Sequence, residues 1–70
     1  MNKQLMLNKQ IYNSEIVDEV IEVYSAICTV NVLEDEKYIY CDFINSVTDI
    51  EVTIKEFEDY LIGLTRKYEY

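Results

Sequence analysis

The sequence predicts a two-layer α+β domain of order β-α-β-β-α, a three-stranded antiparallel sheet with two helices packed on one face. Three observations carry this. The segment from Cys28 to Ile44, CTVNVLEDEKYIYCDFI, alternates with period two on both sides of an acidic turn, which is the pattern of a β-hairpin. Apolar residues recur at helical spacing before it and after it. Seventy residues make one small domain, so residues 1–70 are read as a single unit. Half the residues are apolar, so a modest core is within reach of a chain this short. Proline is absent and Gly63 is the one glycine, so no linker or repeat divides the chain.

Leu5 and Leu7 alternate with Gln4, Met6 and Asn8, a short first strand. Asn13 and Ser14 then offer a side-chain oxygen to the free amides of a helix start. With Asn13 as cap, Tyr12 and Val17 occupy the positions of a hydrophobic staple. Ile16, Val17, Val20, Ile21, Tyr24 and Ile27 form the apolar stripe of that helix. Glu15, Asp18, Glu19 and Glu22 fill the other side. They read as a solvated face, with a docking surface for a basic partner as the sharper alternative. The helix is expected to end near Ala26, where β-branched alternation begins.

In the hairpin, Val30, Val32, Ile39, Cys41 and Phe43 fall on one face. Leu33, Tyr38, Tyr40 and Ile44 fall on the other, with Thr29, Asn31 and Asp42. Glu34 to Lys37 fits a four-residue loop around a type I turn. Its acids lack the glycine and distal glutamate of a calcium-binding EF-hand loop. Thr48-x-x-Glu51 and Thr53-x-x-Glu56 both match a capping box. The second is preferred, because Ile54, Phe57, Leu61, Leu64 and Tyr68 then make one continuous stripe. Acids early and Arg66 and Lys67 late complement the dipole of this helix. Gly63 inside it costs about 1 kcal/mol relative to alanine. It either permits close approach to the sheet or marks a frayed end.

The formal charge is −8, from fourteen acids and six bases. Between Gln10 and Ile54 the one base is Lys37, against ten acids. Such a surface repels phosphate backbones and anionic lipid, so neither nucleic acid nor membrane is expected as a partner. A basic peptide or protein surface is favoured. No apolar run is long enough to span a bilayer, and Met1 to Leu7 lacks the features of a signal peptide. Cys28 and Cys41 are therefore read as reduced, small buried hydrophobes in a cytoplasmic protein.

The missing residue types bound the chemistry. Without histidine there is no imidazole base, no histidine-activated nucleophile and no usual zinc site. One glycine excludes a glycine-rich phosphate loop. Paired carboxylates could hydrolyse a glycoside, but only in a deep cleft that two thin layers rarely provide. The expectation is a non-enzyme with no cofactor, no metal and no catalytic residue.

What remains is the second hairpin face. A small antiparallel sheet normally wets one face, and this one is aromatic there. Leu33, Tyr38, Tyr40, Asp42 and Ile44 are the candidate partner-binding residues. The bland account is that β-propensity alone put the tyrosines there, or that they pack in a homodimer. The sharper account is a protein or peptide docked on that face, or added as a strand at an open sheet edge.

Three segments together resemble the HxsD-like family of His-Xaa-Ser system proteins: IYNSEIVDEVIEVYS (Ile11 to Ser25), VLEDEKYIYCDF (Val32 to Phe43) and EFEDYLIGLTRK (Glu56 to Lys67). Phe57, Leu61 and Arg66 match the closing-helix pattern. Asp59 stands near its usual Asn, and Gly63 departs from the polar residues expected there. The resemblance implies a small accessory protein of a system in which a radical S-adenosylmethionine enzyme modifies a ribosomally made peptide. The implied partners are that maturase, its precursor peptide, or both. The cofactors of such chemistry would belong to the maturase, since two cysteines cannot hold an iron–sulfur cluster. The competing reading is a small acidic phage-type inhibitor that mimics nucleic acid. A neighbouring radical-enzyme gene favours the first reading, and a prophage setting favours the second.

Overall fold

The computed structural model describes residues 3–68. Its elements run β1 (Lys3–Asn8), α1 (Ser14–Tyr24), β2 (Cys28–Glu34), β3 (Tyr38–Ser46) and α2 (Ile50–Lys67), which is the predicted order. The strands form one antiparallel sheet of order β1-β3-β2, so β1 and β2 are the outer strands. Both helices pack against the same face.

Side-chain alternation along the central strand divides the two faces. Ile39, Cys41 and Phe43 have no exposed surface, and Tyr38, Tyr40 and Asp42 between them are half-buried. Leu7 from β1, Cys28 from β2, Val17 and Val20 from α1, and Phe57 and Leu61 from α2 complete one contiguous core. Aromatic edges join its layers. Phe43 meets Phe57 at 5.0 Å and 87°, Phe57 meets Tyr24 at 5.6 Å, and Tyr24 meets Tyr60 at 6.1 Å. Each such edge-to-face pair adds about 0.5–1.5 kcal/mol beyond the area it buries. This row ties the sheet to α2, and α2 to α1.

Helix α1 starts as the sequence predicts. The Asn13 side chain accepts from the Glu15 amide at 2.7 Å, and Tyr12 packs against the core that contains Val17. The helix closes at Tyr24, two residues before the expected end. The Ser25 amide and hydroxyl both donate to the Glu22 carbonyl. The Ile27 carbonyl is thereby freed to accept from Val47 at 2.9 Å, pinning the helix exit to the end of β3.

Helix α2 corrects the expectation more substantially. Its cap is Asp49, whose Oδ1 accepts from the Glu51 and Val52 amides, and neither threonine caps it. Thr53 lies inside the first turn with 1% exposure. Its hydroxyl meets Ser46 Oγ at 2.8 Å and Thr48 Oγ1 at 2.9 Å, and donates to the Asp49 carbonyl at 3.1 Å. A buried hydroxyl is tolerated where polar neighbours satisfy it. Thr53 therefore faces the sheet as part of the apolar stripe, which moves the helix start back to the nearest free carboxylate. Gly63 is exposed, α2 continues past it to Lys67, and nothing lies within 4 Å of where its Cβ would stand. It serves neither a close approach nor a frayed end.

Candidate functional site

The sheet face turned away from the helices is organised in cross-strand rows. Met6 of β1, Tyr40 of β3 and Leu33 of β2 stand directly opposite one another. Gln4, Asp42 and Asn31 form the next row, and Asn8 faces Tyr38. Opposed residues on one face of a sheet have Cβ atoms about 5 Å apart, so each row is a packed strip. Leu33 is 72% exposed and Met6 57%, against 0% for Ile39 and Cys41 on the other face of β3. No helix of the described residues covers this row.

The structure brings together four of the five candidate residues. Leu33, Tyr38, Tyr40 and Asp42 share the uncovered face. The Tyr38 and Tyr40 rings lie 6.3 Å apart and tilted by 45°. Ile44 stands apart at the end of the strand. Phe43 faces Val30 and Asn45 faces Thr29, so Ile44 is the extra residue of a β-bulge. It is half-buried there.

The hairpin turn fastens one end of this face. Strand β2 runs through Glu34, so the loop is Asp35-Glu36-Lys37, one residue shorter than expected. Asp35 explains the tightening. Its Oδ1 accepts from the Lys37 amide at 2.8 Å and the Tyr38 amide at 2.7 Å, while its own amide donates to the Tyr38 carbonyl. Its Oδ2 accepts from the Tyr40 hydroxyl at 2.9 Å. The two amides, then the hydroxyl, hold the Asp35 carboxyl below its usual range. The same bond raises the Tyr40 phenol, because ionising it would give up the hydrogen donated to Asp35 and leave two anions together. Tyr40 is thus held at both ends, its ring in the row and its hydroxyl on the loop.

Sequence reasoning set Met6 in alternation with Leu5 and Leu7 but left it out of the candidate residues, and it missed Asp35. The signal for Asp35 was its place at the start of a turn, where an Asp side chain bonds amides two residues on. The signal for Met6 was its alternation with Leu5 and Leu7.

Other features hold less chemistry. Cys28 and Cys41 are free and buried, and burial pushes the Cys41 thiol up to about 11, with Asp18 adding to it. A thiol so disfavoured as thiolate is a poor nucleophile and metal ligand. Among the described residues, no three His, Cys, Asp or Glu side chains cluster as metal ligands. The Ser46 and Thr48 hydroxyls each meet the Thr53 hydroxyl, a bonded cluster at the start of α2. No helix of the described residues is long and apolar enough to cross a membrane. No protein family, curated protein or solved structure matches the chain.

Proposed function

We propose that this chain is a non-catalytic binding module of the cytoplasm, whose uncovered sheet face docks a protein or peptide partner. The resemblance to HxsD-like proteins supplies the setting: an accessory to a radical S-adenosylmethionine maturase and its precursor peptide. The observation that carries the reading is the Met6–Tyr40–Leu33 row, exposed on a face that no helix of the described residues covers. Exposed apolar rows rimmed by polar residues mark interaction sites. Tyrosine is favoured at interface centres, because a stiff ring adds contact area at low entropic cost and its hydroxyl keeps a polar partner. Asp42 beside the row and Asp35 at its end, within a chain of charge −8, favour apolar side chains flanked by lysine or arginine.

The test is co-expression of the full chain with the products of its neighbouring genes, as wild type and as a Tyr38→Ser, Tyr40→Thr double variant. The reading expects a maturase or precursor peptide to co-purify with wild type and to be lost from a double variant whose circular dichroism is unchanged. Equal recovery with both proteins would refute it.

A further inference from the structure

We propose that the free edge of β2 is a self-pairing edge, along which two copies of this chain join antiparallel about a two-fold axis through Asn31. This goes beyond the partner reading above and does not rest on it.

The two outer strands differ in how they are guarded. An open edge presents unpaired amides and carbonyls to any other strand, and proteins commonly protect it with lysine or proline. β1 carries Lys3, and Lys9 follows directly after it. They bond Glu51 at 2.7 Å and Glu34 at 3.1 Å. β2, Cys28-Thr-Val-Asn-Val-Leu-Glu34, has neither lysine nor proline, and its one charge is at the last position. Two chains of charge −8 repel, so they can join only where acids do not meet.

The sequence of β2 meets that condition when paired with itself. About Asn31, Val30 stands opposite Val32 of the second copy, and Val32 opposite its Val30. Thr29 faces Leu33, and Glu34 faces the uncharged Cys28. The two Asn31 side chains face one another, each able to donate and accept. No acid opposes an acid across the edge. Val30 and Val32 are half-buried along the edge of the core, and a neighbouring strand covers what they leave exposed. Such an interface is isologous, as closed two-fold dimers require.

The geometry has a consequence for the uncovered face. A two-fold axis normal to the sheet keeps all the helices on one side. The two three-stranded sheets become one of six strands, and the two Met6–Tyr40–Leu33 rows lie on a single continuous surface.

The test is sedimentation equilibrium on the full chain, with Asn31→Lys and Asn31→Asp variants alone and mixed. Asn31 is exposed, and circular dichroism checks that each variant is folded. Wild type should form a reversible dimer that tightens as salt screens the repulsion between copies. Each variant alone places like charges directly opposite and should raise the dissociation constant about fivefold. The mixture places lysine opposite aspartate and should restore the dimer. Amide hydrogen exchange on wild type supplies a readout that needs no variant: β2 amides gain protection with protein concentration, and β1 amides do not. A wild-type monomer at every concentration, equal association in wild type, variants and mixture, or concentration-dependent protection on β1 instead of β2 would each overturn the proposal.

Discussion

Helix α2 contains two threonines for which the same substitution should have opposite effects. Thr53 and Thr65 both carry a hydroxyl shielded from water. The Thr53 hydroxyl meets Ser46, Thr48 and the Asp49 carbonyl. The Thr65 hydroxyl has no hydrogen-bond partner among the described residues. Valine has nearly the same shape and the same branching at Cβ, so packing and helix propensity change little in either substitution. In Thr53→Val, the Asp49 carbonyl keeps the Thr53 amide at 3.0 Å, and the exposed Thr48 hydroxyl can turn to water. The half-buried Ser46 hydroxyl loses Thr53 and keeps the Thr48 amide, which donates to it at 3.3 Å. With a net worth near 1 kcal/mol per hydrogen bond, losing the bonds to Ser46 and Thr48 costs about 1–2 kcal/mol. For a domain this size that lowers the midpoint by roughly 5–15 °C. In Thr65→Val, a desolvated hydroxyl with nothing to bond is replaced by a methyl, a gain of up to about 1 kcal/mol. Urea unfolding followed by circular dichroism reads both, and an unchanged m-value assigns the effect to stability. If Thr53→Val were neutral or stabilising, or if Thr65→Val cost as much as Thr53→Val, the polar cluster at the start of α2 would not have the energetic role given to it.

Gly63→Ala should stabilise the chain by about 0.5–1 kcal/mol, because its helical backbone suits alanine and a methyl there meets open space. A loss of stability in thermal melts would show that something packs against this position. Cys41 makes stability pH-dependent on the alkaline side. Its folded pKa, about 11, lies above the value near 9 of an exposed thiol, so its contribution is complete below about pH 9 and is lost as pH rises toward 11. The stability difference between wild type and Cys41→Ala, measured across that range, should shrink with rising pH, and a constant difference would refute the assignment.

The order of elements, the faces of the hairpin residues from Val30 to Phe43, the Asn13 cap and the placing of Cys41 inside were all legible in the sequence. They depend on local periodicity and on side chains bonding amides a few residues away. The candidate face was legible for the same reason, since Tyr38 and Tyr40 could not share a side with Ile39 and Cys41. What the sequence left open required distant segments to meet. The strand order β1-β3-β2 and the register that sets Met6 beside Tyr40 depend on which pairing closes the core, and alternation within one strand does not encode it. The choice of Asp49 over two plausible threonine caps turned on Thr53 facing inward, where Ser46 and Thr48 from the preceding segment satisfy it. Period and local bonding are carried by neighbours in the chain, whereas register, bulge and shared polar clusters exist only once the layers have packed.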